Sequence, residues 1–157
     1  MSIFFTYDII YLHSMKTTIS TSFEQTENMA KLWLESLGSR SGATVVGLYG
    51  NLGSGKTTFT QSVGKALGVV ETMTSPTFVI QKSYEVKHPF FKKLIHIDAY
   101  WLKDHLDLKV LRFEELLVGK SNLILVEWPE IVKEILPEDH IKIYCEFVDE
   151  STRNYSL

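Results

Sequence analysis

The densest chemistry in this chain sits in one octapeptide, Gly50-Asn51-Leu52-Gly53-Ser54-Gly55-Lys56-Thr57. It meets the pattern G-x-x-x-x-G-K-[ST] at every fixed place. Glycines let the backbone turn so that several N–H groups converge on one polyphosphate. A helix beginning at such a loop turns its positive end toward the same anion. Lys56 supplies a mobile point charge for the β and γ phosphates, and the Thr57 hydroxyl is suited to ligate Mg²⁺. The expected nucleotide-binding run is therefore Gly50, Asn51, Leu52, Gly53, Ser54, Gly55, Lys56, Thr57 and Thr58. The bland alternative is a chance glycine-rich turn. A chance match in a chain of this size is on the order of one in a few hundred, before any demand on the flanking elements.

Phosphoryl chemistry also needs a carboxylate at the end of a neighbouring strand, to hold the magnesium or orient the attacking water. Glu127 ends the apolar run Leu123-Ile124-Leu125-Val126 and is the expected metal-side acid with Thr57. Asp98 ends Leu94-Ile95-His96-Ile97 and is the second candidate. Lys56, Glu127 and Asp98 form the expected catalytic set. Either acid could instead be a solvated strand-end charge. Thr77, in the break Ser75-Pro76-Thr77-Phe78, could sense the γ phosphate as a switch residue or be an ordinary turn hydroxyl.

These groups need a frame. Thr44–Tyr49 (TVVGLY) is β-branched and apolar on both faces, like a buried strand, and Asn122–Glu127 (NLILVE) is another. After the glycine loop, Phe59, Val63, Ala66 and Leu67 fall at helical spacing, closed by Gly68. An earlier helix has Ser22 as N-cap with Gln25 as capping-box partner, and Gly38 as its stop. Thr77–Val86 and Lys93–Asp98 read as a hairpin around Lys87-His88-Pro89, and Leu106–Leu117 reads as one helix stopped by Gly119. Pro129 suits the first residue of a short helix, and Ile141–Val148 reads as the final strand. Strands alternating with helices imply an α/β, three-layer P-loop NTPase fold: a mostly parallel sheet with one antiparallel hairpin excursion.

The chain has 157 residues, 45% of them apolar and 22% charged, which points to one ordinary globular domain. A net charge of -3 argues against a chain-wide basic footprint for nucleic acid. Lys82, Lys87, Lys92 and Lys93 around the hairpin could make a small basic strip or merely a solvated face. The single cysteine, Cys145, cannot form an internal disulfide, consistent with a cytoplasmic setting, and no apolar run reaches membrane-spanning length. Residues 1–16 read as an N-terminal extension, poorly ordered or a start-site artefact with Met15 as the real start, and 17–157 as a single ATPase domain.

Among P-loop proteins, a GTPase would be expected to carry Asn-Lys-x-Asp, which is missing here. Arginine occurs only at positions 40, 112 and 153, whereas kinases clamp phosphorylated partners with several. A charged lid is also missing. What remains is an ATP-hydrolysing switch without an obvious arginine finger, slow alone and stimulated by a partner. Two readings stay open beside it: a stand-alone small-molecule kinase or phosphotransferase, and a nucleotide-sensing scaffold that hardly hydrolyses ATP.

Four pieces in fixed order then resemble one family: Gly50–Phe59 (GNLGSGKTTF), Ser75–Phe78 (SPTF), His96–Tyr100 (HIDAY) and Val126–Glu130 (VEWPE). The chain resembles the TsaE (YjeE) family, the bacterial P-loop ATPases of tRNA threonylcarbamoyladenosine synthesis, over about Thr17 to Arg153. The resemblance implies ATP and Mg²⁺ as cofactors and a complex with TsaB and TsaD. That complex adds threonylcarbamoyl to adenosine 37 of tRNAs reading codons that begin with A, with ATP hydrolysis resetting it and tRNA met indirectly. It also implies roles for Trp128, the tryptophan of the E-W-x-E element, and for Thr26 and Arg153 on the adenine side. Read from the residues alone, Trp128 is a core aromatic beside a buried strand, and only the resemblance raises it to an equal candidate for the site; His96 is a packed or capping histidine rather than a metal ligand. Two positions depart from the family pattern: Asn51 stands where Asp is frequent, and Trp101 where Arg is frequent.

Overall fold

A strand apolar on both faces can be satisfied only between two covering layers, and the backbone does this with β2 (Thr44–Tyr49). In the computed structural model, which describes residues 16–157, β2 lies at the centre of a seven-stranded sheet ordered β1-β7-β6-β2-β5-β4-β3. Its parallel neighbours are β5 (Asn122–Glu127) and β6 (Ile141–Phe147), and β4 (Lys93–Asp98) pairs parallel with β5. Antiparallel strands close both edges. β3 (Gln81–Glu85) pairs with β4 on one side; β7 (Arg153–Ser156) lies between β6 and β1 (Thr17–Ser20) on the other.

Alternation along the strands splits the core into two layers. Val46, Leu48, Leu94, Leu123 and Leu125 face α1 (Phe23–Ser36) and α2 (Lys56–Ala66), meeting Trp33, Phe59 and Val63. Val45, Ile95, Ile97, Ile124 and Val126 face the other way, onto Leu108, Phe113 and Val132. Those residues come from α3 (His105–Val110), α4 (Phe113–Leu117) and a 3₁₀ helix over Pro129–Ile135. The expected three-layer α/β arrangement is what the backbone adopts.

Several boundaries differ from expectation, each for a local reason. The hairpin's first strand starts only at Gln81, because Thr77–Ile80 form a turn in which Ile80 takes φ 66°. The expected helix over 106–117 is two helices, broken where Arg112 adopts φ 58°. Ile141–Phe147 is followed by β7, so antiparallel pairing occurs at both edges of the sheet and not in one excursion. Ser22 caps α1 by accepting from the Gln25 amide, but the Gln25 side chain reaches back to the Thr21 amide, one residue earlier than a capping box requires. The helix stops at Ser36 with Leu37 extended, before Gly38 is reached. Of the N-terminal extension expected over 1–16, residues 1–15 lie outside the described residues.

Candidate functional site

The glycine loop joins the end of β2 to the start of α2. Gly50, Gly53 and Gly55 all have φ in the left-handed region, at 145°, 76° and 99°. Gly50 admits no side chain, because a Cβ there would overlap the Cys145 carbonyl oxygen and the Ser54 hydroxyl. The turn delivers the first residues of α2 to the cleft with no side chain capping the helix, so its N-terminal amides are not satisfied by a cap. The Ser54 hydroxyl is buried and lacks a hydrogen-bond partner among the described residues. Unspent donors at a helix N-terminus fit a bound phosphate.

Period-two alternation places His96, Asp98 and Glu127 on the α2 side of the sheet, at the carboxyl ends of β4 and β5. Asp98 and Glu127 are register partners. The Thr57 hydroxyl donates to Glu127 Oε1 at 2.8 Å and Oε2 at 3.0 Å, joining groups 70 residues apart in sequence. Both are hard oxygen donors of the kind Mg²⁺ takes, and no cluster of three metal-ligating side chains occurs among the described residues. That combination suits magnesium held by few protein atoms and by phosphate oxygens.

Lys56 is 4% exposed, with Nζ donating to the carbonyls of Gly50 at 2.7 Å and Asn51 at 2.9 Å. Nζ also lies 3.9 Å from the centroid of the Trp128 ring, a cation–π contact. Burial pulls the Lys56 ammonium below its ordinary pKa, opposed by the nearby carboxylates of Glu127, Glu130 and Asp98. Trp128 holds its ring there from a left-handed backbone, φ 59° and ψ 48°, just before Pro129 starts the 3₁₀ helix. It packs against Tyr100, centroids 5.1 Å apart.

Asp98 does not reach Thr57. Its Oδ2 accepts from the Thr77 hydroxyl at 2.7 Å and the Ser75 hydroxyl at 3.2 Å, while Oδ1 accepts from the Tyr100 amide at 3.0 Å. Thr77 is thus tied to the strand-end acid rather than being a free turn hydroxyl. The cleft over these groups measures about 510 Å³ and is walled by Leu52 to Thr58, Ser75, Thr77, Asp98, Glu127 and Trp128, among others. A larger groove of about 720 Å³ between β1 and α1 is mainly apolar and holds no member of the phosphate motif, so volume alone would mislead.

The two residues expected on the adenine side lie in different surroundings. Arg153 borders the cleft, but its Nε donates to the Gly53 carbonyl at 2.9 Å and Nη1 to Asp149 and Thr152 carbonyls, so it braces the loop from β7. Thr26 is buried and shares a hydrogen bond with the Ser20 hydroxyl. It lines a small adjoining cavity with Thr58, Arg153 and Tyr155, not the main cleft. Gly50 and Asn51 act through their carbonyls on Lys56. The hairpin lysines make local contacts: Lys82 with Thr74, Lys92 with the His88 carbonyl and Lys93 with Glu85.

Sequence reasoning missed Ser75, and it missed that His96 bonds Glu127, Nε2 to Oε1, at 2.7 Å. The signal for His96 was available: a residue two before Asp98 on one strand shares its face.

Comparison with known proteins agrees with this geometry. A family model described as threonylcarbamoyl adenosine biosynthesis protein TsaE matches residues 20–155. A Rickettsia felis protein named tRNA threonylcarbamoyladenosine biosynthesis protein TsaE is 37% identical over 135 residues, 85% of this chain and 74% of that protein. A Bacillus subtilis protein of the same name is 32% identical over 134 residues, 85% of this chain and 79% of that protein. A crystal structure of Bacillus subtilis YdiB superposes with a TM-score of 0.69 at 27% identity, covering 89% of this chain and 82% of that one.

Proposed function

The chain belongs to the TsaE family, and from that premise we propose a Mg²⁺-dependent ATPase that works with TsaB and TsaD and is stimulated by them. The chain acts in tRNA threonylcarbamoyladenosine biosynthesis as a nucleotide-using P-loop protein. The complex it serves places threonylcarbamoyl on adenosine 37 of tRNAs reading codons that begin with A, while ATP hydrolysis by this chain resets that complex and its own contact with tRNA is indirect. The working unit is a single domain over 17–157, in the cytoplasm. Among the described residues no helix is long and apolar enough to cross a membrane. The stand-alone kinase reading receives no support from the comparisons.

The observation that carries this reading is the Thr57–Glu127 contact, which brings the loop hydroxyl and the strand-end acid together. Magnesium, when bound, neutralises charge on the β and γ oxygens. Thr57 and Glu127 would hold it, directly or through water. Lys56, now on the Gly50 and Asn51 carbonyls and over the Trp128 ring, would supply its charge to the phosphate oxygens. The amides from Gly53 to Thr58 bind and orient the phosphates. Asp98 is the second acid: it fixes the Ser75 and Thr77 hydroxyls on the wall of the cleft. Arg153 and Thr26 support the nucleoside side through β7 and the adjoining cavity.

Reconstitution tests this. The chain, TsaB, TsaD, tRNA, ATP and an activated threonylcarbamoyl donor should give modified adenosine over many turnovers and ATP hydrolysis faster than by the chain alone. Continued modification at an equal rate when the chain is left out would refute the reading. Unchanged cycling with Glu127→Gln would favour a non-hydrolysing scaffold.

A further inference from the structure

We propose that His96 is a positioning residue for Glu127: donating from Nε2 to Oε1, it fixes the carboxylate so that Oε2 is held for magnesium beside Thr57. This rests on the reading of the cleft as a magnesium–nucleotide site. His96 lies on β4 in register with Leu125 of β5, and Asp98 with Glu127, so the imidazole reaches Glu127 diagonally across the parallel pair. The ring is fully buried, Glu127 is nearly so, and their contact measures 2.7 Å. An ionised carboxylate only accepts, so the hydrogen in this contact belongs to Nε2. Among the described residues Nδ1 is buried with no hydrogen-bond partner.

That orphan nitrogen separates positioning from packing. A histidine kept only to fill the core would carry a desolvated nitrogen with nothing to offset it, and an apolar side chain would fill the space better. The bond to Glu127 is the compensating interaction. It also leaves the two carboxylate oxygens unequal. Oε1 accepts from both His96 and Thr57, whereas Thr57 is the only donor to Oε2 among the described residues. Outer partners of this kind orient a metal ligand and typically change metal affinity by roughly 10–100-fold when removed.

The test is ADP affinity by isothermal titration calorimetry, with Mg²⁺ and with EDTA, for the unsubstituted chain, His96→Leu and His96→Gln, alongside thermal melts. Expected is an unchanged EDTA affinity, within about twofold, in both variants, because the phosphate cradle is untouched. The gain in affinity on adding Mg²⁺ should shrink by about tenfold in His96→Leu. His96→Gln, whose amide can donate to the same oxygen, should recover most of it. A full Mg²⁺ gain in His96→Leu overturns the proposal. So does a folded His96→Gln that behaves like His96→Leu, or loss of folding in both variants, which would make His96 a packing residue. If the unsubstituted chain itself binds ADP without Mg²⁺ dependence, the magnesium reading of the cleft has failed. The proposal falls with it, by a result distinct from any given by the variants.

Discussion

Glu127 is a carboxylate with 3% of its surface exposed, tolerable only because Thr57 and His96 donate to it. Glu127→Gln keeps one acceptor oxygen for those donors but removes the charge. ATP hydrolysis, followed by phosphate release, should fall by about 100-fold or more, the range for loss of a group that supports charge stabilisation at the reacting centre. The melting temperature should move little; a rate within a few-fold of the original would remove Glu127 from the chemistry. Cys145 behaves oppositely, as a buried thiol beneath the loop whose burial pushes its pKa to about 12 from 9.0. The folded chain then holds a proton that the unfolded chain releases above about pH 9, so the stabilisation is complete below pH 9 and lost as pH rises toward 12. Urea unfolding from pH 8 to 11 should therefore show the unsubstituted chain losing stability relative to Cys145→Ala; parallel curves would contradict the burial. Lys56, Thr57, Glu127 and Asp98 could be read from residue types at strand ends and in the loop. The Ser75 and Thr77 bonds to Asp98 could not, because they depend on how the break after Met73 folds back on β4.

At the scale of elements, the glycine loop is the part with least freedom. Gly50→Ala would place a side chain at φ 145° against the Cys145 carbonyl. It should cost about 1–3 kcal/mol by denaturant unfolding and abolish nucleotide binding. Gly38→Ala, where an added Cβ meets nothing within 4 Å, should change stability by less than about 0.5 kcal/mol. Equal effects of the two would mean that the loop is not held as described. The strands most sharply legible in the sequence were β2, β4 and β5, because burial on both faces makes their runs largely apolar, and β6 and the second half of the expected Thr77–Val86 strand were legible too. β1 (TTIS) and β7 (RNYS) carry no such run; pairing with each other and β6 makes them strands. The breaks at Ile80 and Arg112 were likewise invisible, since neither residue type favours positive φ and tertiary contacts impose it.

Across the whole molecule, the phosphate loop and both acids lie at the carboxyl ends of parallel strands, with β2 giving the loop and β4 and β5 the acids. Open α/β sheets bind ligands at this place because the strand ends and helix N-termini converge there. The three-layer plan was legible from alternation alone, whereas the Thr26 bond to Ser20 and the Arg153 brace on Gly53 were not: both are set by the β1–β7 edge, which sequence patterning did not reveal. The central claim is that this cleft binds one magnesium–ATP through Lys56 and the loop amides. Calorimetric titration of Mg·ATP into the chain and into Lys56→Ala tests it most directly. The account predicts a single saturable site whose affinity falls by about 10–150-fold in Lys56→Ala, the loss expected for a charged hydrogen bond. Equal binding by the two proteins, or no binding by the unsubstituted chain, would contradict it.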